Sequence, residues 1–308
     1  MDEFEGRGAE ADSIEHRTLT HGELRFDALA CGFAENPGAP VVLCLHGFPD
    51  NARSFRFQLP ALARAGYRVI APTLRGYEPD SQPADGDYSL GALARDVLGW
   101  VDELHEQKVH LLGHDWGAAI TYLAGALAPE RFHSLMTIAV PHAARLTDGI
   151  RVVPRQLRNS WYMMFFQLRG IAEIAVERND WALVRRLWKD WSPGYDLPEK
   201  EWISLRSTFE APGVKRAMLG YYRQNASPGV MLGIKKSEAT SLTTVPVRTL
   251  AITGADDGCM DTRLYDHVFL DEDFPRGVRV ERIAQAGHFT HQEKPDAVNR
   301  LLLDWMAG

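Results

Sequence analysis

The sequence predicts an α/β fold: a mostly parallel central sheet flanked by helices, with a helical lid inserted into it. Three observations lead there. Apolar runs alternate with helix-period segments over the first half of the chain, the pattern of parallel strands joined by right-handed helical crossovers. The alternation breaks after His142 and returns only at Val247, which leaves a long helical stretch between two parts of a core. One apolar run, beginning at Val109, passes into a helix-forming run, 118–124, through Asp115, with glycine two positions before it and two after. A strand turns into a helix that sharply only where its neighbours lack bulk.

A chain of 308 residues with 45% hydrophobic content can bury a substantial core, as one large domain or as a core with an insertion. The net charge of −7 argues against non-specific nucleic-acid binding and against a basic membrane patch. Cys31, Cys44 and Cys259 are odd in number and have no paired spacing, so neither a disulfide framework nor a zinc site is expected and a reducing, cytoplasmic compartment fits. Residues 1–13 are polar and acidic without an apolar centre, which reads as a mobile leader rather than a signal peptide. No apolar run approaches the ~18 residues that span a bilayer.

The elements follow in order. Residues 16–33 read as two strands with Gly22 at the turn. Residues 41–45 form a continuous apolar run, as expected of a strand covered on both faces, and end in His46-Gly47-Phe48-Pro49. A helix over 54–65 stops at Gly66, and a strand follows over 68–72. Ser89 caps a helix to about residue 106, with Leu90, Leu93, Val97, Trp100, Val101 and Leu104 on one face. After the elbow comes a strand over 135–140. The lid spans 143–241, holds five of the eight tryptophans, and is divided by Pro193-Gly194 and Pro212-Gly213. Strands return at 247–252 and 278–283, and a helix closes the chain from about 295 to 306. The expected domains are thus a core over 14–142 and 242–308 and a lid over 143–241.

A carboxylate exposed at a sharp turn is a candidate nucleophile, and later strand ends supply partners. Thr253-Gly254-Ala255-Asp256-Asp257 offers an acid and Ala286-Gly287-His288 a histidine. Gly287 is expected to let the backbone turn so that His288 reaches over the strand ends. A carboxylate on one ring nitrogen fixes the tautomer and frees the other for water. His288 and His291 lie close enough to suggest metal ligands, but no third ligand has suitable spacing, so no metal is expected. His46 and His114 read as hydrogen-bonded supports, and His142 as a turn residue. No cofactor motif is present.

The glycine-flanked elbow, with nucleophile, acid and histidine in that chain order, resembles the α/β-hydrolase fold. The resemblance implies an acid three residues beyond the strand-end glycine, which selects Asp257 over Asp256. It also implies an oxyanion hole from the amides of Trp116 and Phe48. Carboxylate attack on saturated carbon makes an alkyl ester, which water then hydrolyses. The substrates are therefore epoxides or carbon–halogen compounds. Two lid stretches, Trp161-Tyr162-Met163-Met164-Phe165-Phe166-Gln167 and Gly220-Tyr221-Tyr222-Arg223, resemble those of epoxide hydrolases. There one tyrosine lies five residues before a Phe-Gln glutamine and another precedes an arginine, which matches Tyr162 and Tyr222; Tyr221 is the rival to the second. Such phenols would donate to the ring oxygen.

Together with Arg75-Gly76-Tyr77, these motifs extend the resemblance over nearly the whole chain from His16. Haloalkane dehalogenases are expected to carry Asn where Phe48 stands, and fluoroacetate-type dehalogenases Arg where Trp116 stands. The implied activity is conversion of an apolar epoxide and water to a vicinal diol. A dehalogenase with the same nucleophile is the alternative, and a non-catalytic binding protein a more distant one. The chain departs from the family pattern at Glu78-Pro79-Asp80-Ser81 and in its tryptophan-rich lid, which bears on pocket shape. A homodimer and a monomer are both compatible with the sequence.

Overall fold

In the computed structural model the described residues are 14–231, 234 and 241–308. The expected leader lies outside them, as do 232–233 and 235–240 of the expected lid. Eight strands form one sheet in the order β1-β2-β4-β3-β5-β6-β7-β8. Antiparallel β1 (Glu15–His21) and β2 (Leu24–Cys31) lie at one edge, and Gly22 takes φ +62° between them. β2 also runs antiparallel to β4 (Arg68–Pro72). The others are parallel: β3 (Val41–Leu45), β5 (Val109–His114), β6 (Phe132–Ile138), β7 (Thr249–Gly254) and β8 (Val278–Ile283).

β3, β5 and β7 are buried along their whole length, which is why they read as unbroken apolar runs. Helices α2 (Leu90–Glu103) and α3 (Trp116–Leu127) cover one face. Helix α1 (Gln58–Arg64) and the closing helix Pro295–Ala307 cover the other. Ser89 caps α2 as expected, its side chain accepting from the Ala92 amide.

Three expected boundaries shift. The helix expected over 54–65 divides into a 3-10 turn, Ala52–Phe55, and α1. Ser54 is fully buried there, bonded to Asp50 and His291, so tertiary polar contacts rather than helical period set the local path. β6 starts three residues earlier than its apolar run and stops at Ile138. β7 likewise starts later and ends at Gly254, because pairing of Leu135 with Thr249 through Ile138 with Ile252 fixes both.

Between β6 and β7 the chain is helical. It runs through α4 (Leu146–Val152), α5 (Arg155–Asn159), α6 (Trp161–Phe165), α7 (Ile171–Trp191), α8 (Glu199–Glu210) and α9 (Val214–Asn225), then a short turn, Pro228–Met231. α7 is interrupted at 178–181, where Asn179, Asp180 and Trp181 take positive φ. Both expected dividers, near Pro193 and Pro212, fall between helices. No helix among the described residues is long and apolar enough to cross a membrane.

Candidate active site

Sheet topology assembles the site. β4 lies on one side of β3 and β5 on the other, so the strand order reverses between β3 and β5. Open α/β sheets leave a crevice at such a switch point, beyond the carboxyl ends of the strands. The β3 loop with Phe48, the β5 turn with Asp115, the β7 loop with Asp257 and the β8 loop with His288 all lie at that end.

Asp115 takes φ +53° and ψ −118°. The turn is possible because a Cβ on Gly113 would stand 2.1 Å from the Gly117 carbonyl oxygen, and one on Gly117 would stand 2.0 Å from that of Leu45. The Asp115 carboxylate is nearly buried and has one partner on each oxygen. Oδ1 accepts from the Phe48 amide at 2.7 Å, and Oδ2 lies 3.4 Å from His288 Nε2. The Trp116 amide is the next N–H along, at the start of α3.

His288 Nδ1 is 3.0 Å from Asp257 Oδ2, while Asp257 Oδ1 accepts from the amides of Cys259 and Met260. Two backbone donors keep Asp257 an acceptor, so Nδ1 carries the proton. Asp256, the rival acid, is exposed. Burial opposes a charged ring at His288, but the acidic groups around it, Cys259, Asp257 and Asp115, hold its pKa well above the ordinary histidine value. The left-handed residue before His288 is Gln285, at φ +55°, not Gly287. Gly287 is needed for closeness instead: a Cβ there would stand 2.6 Å from the Trp191 carbonyl oxygen and the Ser192 Cα.

The two phenols face the core residues across an apolar cavity. Asp115, Trp116, Tyr162, Met163, Tyr222 and Met260 line it, with Leu146, Ile150 and Val140. The rings of Tyr162 and Tyr222 are 5.6 Å apart, and Tyr222 packs 5.3 Å from Phe48 and 5.1 Å from Trp116. Burial pushes both hydroxyls well above the usual phenol range, so both keep their protons. The Tyr162 hydroxyl meets Cys259 Sγ at 3.4 Å, whereas the Tyr222 hydroxyl, beside the Trp116 indole N–H, has no acceptor among the described residues. Tyr221 points elsewhere, donating to the Arg75 carbonyl at 2.7 Å.

His46 and His114 lie behind this front. His46 Nε2 accepts from the Leu74 amide at 3.1 Å, and burial pushes its pKa down to about 4. His114 Nε2 donates to the His288 carbonyl at 3.0 Å, and burial holds its ring well below the ordinary value. His291 does not join His288 in a metal-like pair. It groups with Asp50 and His114, one ligand atom from each lying within 4.8 Å of the others. Those three could hold a cation by residue type, but Asp50 already accepts from Asn51, Ser54 and Gln292, and His291 already bonds Ser54. His142 starts the 3-10 turn Ala143–Arg145, as expected, its carbonyl accepting from the Arg145 amide at 3.1 Å, and its ring is fully buried, packed on Phe274 and 3.8 Å from Asp273. Asp148, the first acid after β6, pairs with Arg151 at the surface and lies on α4.

Two site features escaped sequence reasoning. Cys259 follows the acid by two positions and touches Tyr162, a proximity that no spacing rule announces. Trp191, at the end of α7, has its ring 5.1 Å from His288, and its carbonyl accepts from both Gly258 and His288. Trp188 donates to the Pro49 carbonyl and stacks on Phe289. The tryptophan-rich stretch therefore fastens the helices between β6 and β7 to the loops after β3, β7 and β8.

The fold agrees with the comparisons. A family profile described as alpha/beta hydrolase fold matches residues 40–170. Epoxide hydrolase A of Mycobacterium tuberculosis is 30% identical, with 89% of this chain and 92% of that protein covered. The chain belongs to the epoxide hydrolase family of the α/β hydrolases. Human epoxide hydrolase 4 is 31% identical over 287 residues, covering 91% of this chain and 75% of its own length. The AB hydrolase superfamily protein YfhM of Bacillus subtilis is 30% identical, covering 87% and 90%. Among solved structures, an epoxide hydrolase from an endophytic Streptomyces superposes with a TM-score of 0.79 at 27% identity, covering 96% of each chain. The Bacillus megaterium epoxide hydrolase in complex with an inhibitor shares the fold at a TM-score of 0.83 and 24% identity, with 95% of this chain and all of that one covered. Membership in this family makes the chain a hydrolase.

Proposed function

We propose that this chain hydrolyses an uncharged, apolar epoxide to a vicinal diol through an ester on Asp115. The observation that carries the reading is the facing pair: a carboxylate next to His288, and across the cavity a buried phenol, Tyr222, with nothing to donate to. Buried polar groups are almost always satisfied, and an orphaned donor in a cavity suits a ligand acceptor.

In the first step Asp115 Oδ2 attacks a ring carbon and the C–O bond of the ring breaks. The departing oxygen takes a proton from Tyr222, with Tyr162 as second donor. Oδ1, already held by the Phe48 amide, becomes the ester carbonyl oxygen. Esterification removes the negative charge of Asp115, one of the groups that keep His288 protonated. The ring then passes its Nε2 proton through the cavity to the Tyr222 oxygen, which restores the phenol and leaves His288 neutral to serve as base. Water deprotonated by His288 attacks Asp115 Cγ, and the amides of Phe48 and Trp116 carry the oxyanion. Collapse breaks the bond between Cγ and the alkyl oxygen; that oxygen takes the proton the attacking hydroxyl brought to Cγ, so the diol leaves, the carboxylate is restored, and His288 keeps the proton it took from water. Asp257 holds the ring and balances its charge. Among the described residues, the cavity lining has no ionisable side chain besides Asp115 and the two tyrosines, which favours an apolar substrate.

One observation favours the second reading. Trp116 Nε1 is buried without a partner and could hold a departing halide. Chloro- and bromoalkanes that release halide, beside epoxides that give no diol, would establish it.

The test is intact-mass analysis of His288→Gln with a reactive epoxide. General-base help is worth about 10²–10⁴-fold, so turnover falls by that much while a one-substrate adduct accumulates on Asp115. A variant that is slow and carries no adduct overturns the ester route.

A further inference from the structure

The outer surface of the lid is unlike the rest of the molecule. Half of the exposed large apolar side chains among the described residues lie between 152 and 174. Val152 leaves α4, Leu157 leaves α5, and Trp161 and Met164 project from α6. Leu168, Ile171 and Ile174 extend this surface into the start of α7, with Ile174 69% exposed. Trp161 and Phe165 share a shallow groove with Ala175 and Arg178, so α6 and α7 stand side by side there. Large apolar side chains exposed this densely along neighbouring helices mark an interaction surface.

Charge on this face is segregated too. Its acids are already neutralised: Glu173 by Arg223, Glu177 by Lys215 and Asp148 by Arg151. Arg158, Arg169 and Arg178 are exposed and pair with no acid among the described residues. A chain of net charge −7 thus turns an apolar face carrying uncompensated arginines outward. The chain-wide average, which argues against a basic membrane patch, hides this local balance.

We propose that this face docks on an anionic lipid surface, with its apolar side chains in the acyl boundary and its arginines at the level of the phosphates. Charge complementarity selects that occupant over a second copy of the chain. Two such faces pressed together would bring uncompensated arginines against one another, whereas an anionic surface pairs them. The acidic remainder of the molecule is repelled by the same surface, which orients the lid toward it. The inner sides of the same helices, at Leu146, Ile150, Tyr162 and Met163, line the cavity. One layer of helix therefore separates the lipid surface from the site, and a compound dissolved in lipid has a short path to it. The docking goes beyond the reaction proposed above and does not depend on it.

The experiment is co-sedimentation of the full chain with vesicles of phosphatidylcholine alone and of phosphatidylcholine mixed with phosphatidylglycerol. Wild type should bind the mixed vesicles, bind plain ones weakly, and lose binding as salt is added. Replacing both exposed isoleucines, Ile171→Ser with Ile174→Ser, should reduce binding about tenfold or more. Arg158→Gln with Arg178→Gln should remove the preference for phosphatidylglycerol. Ile203→Ser, an exposed apolar residue on α8, should change nothing. Turnover of a water-soluble epoxide should stay within about twofold of wild type in every variant, since none reaches the cavity. Absence of binding by wild type overturns the proposal, as does binding indifferent to both double variants. So does a dimer, seen by light scattering, that the isoleucine variant dissolves. Failure of wild type to make diol while the vesicle results hold would count against the reaction and leave the docking standing.

Discussion

The two walls of the cavity are built on opposite principles. On the core wall, both carboxylates have hydrogen bonds before any substrate arrives, and His288 lacks one only at Nε2, which stands 3.4 Å from Asp115 Oδ2. Asp257 accepts from two amides and from His288, Asp115 Oδ1 accepts from Phe48, and His288 is held from behind through His114 and Trp191. On the lid wall, the Tyr222 hydroxyl is buried and unpaired, and the Tyr162 hydroxyl has only a thiol at 3.4 Å. A buried donor left without an acceptor costs about 1–3 kcal/mol. The core wall is thus preorganised for the charge it carries at rest, and the lid wall holds donors in reserve for an oxygen that arrives with the ligand.

That contrast can be broken most decisively at Asp115. Asp115→Asn should lower diol formation at least ~10³-fold, because the nucleophile has no substitute on either wall. The same variant removes a charge that raises the His288 pKa, so NMR titration of that ring should show a lower value than in wild type. An unchanged titration would mean the two groups are not coupled.

The lid wall is tested by its phenols. Tyr222→Phe should cost about 10–100-fold in kcat/KM, the equivalent of one hydrogen bond to developing charge. It should change the melting temperature little, since the hydroxyl has no acceptor to lose. Tyr162→Phe should cost less activity, because that hydroxyl is shared with Cys259. Equal losses of activity and stability in Tyr222→Phe would make the residue structural.

The smallest effect concerns acid, and it probes what lies behind the core wall. Burial holds His46, His110 and His142 down to about 4, and His114 and His291 well below their ordinary value. As pH falls through about 6.5 the unfolded chain takes up protons that these rings refuse, and stability drops. Asp50, pushed up to about 6 by burial, and Glu78, pushed up to about 8, act in the opposite direction. Five histidines outweigh two carboxyls, so the melting temperature should fall steadily between pH 6.5 and 5. A flat profile over that range would show that the buried rings are not kept neutral.

Much of this site is legible in the chain. Asp115 stands between glycines that only a tight elbow requires, and Asp257 and His288 follow strands whose apolar runs are unmistakable. Strand ends carry functional residues because the sheet presents them along one edge, so order along the chain becomes proximity in space. Reading was weaker where local pattern and tertiary demand part. The helix expected at 54–65 gave way to a turn because Ser54 is claimed by Asp50 and His291. Gly287 was singled out for a turn that Gln285 makes, because close backbone approach by the lid leaves no mark in spacing.

The amino-acid order by itself determined the fold class, the elbow, the order of nucleophile, acid and histidine, and the two tyrosine-bearing lid helices. The fold class and the elbow follow from short-range sterics and hydrophobic period, which act between neighbours in the chain, while the choice of acid and of the two tyrosines follows from the resemblance to a known family. Only the tertiary structure decided that Tyr222 rather than Tyr221 faces the cavity, that Cys259 shares the Tyr162 hydroxyl, that Trp191 holds the loops after β7 and β8 at once, and that apolar and basic side chains are exposed together on the outer side of α4 to α7. Each of those depends on how separate elements rotate and pack against one another, and no local pattern encodes that rotation.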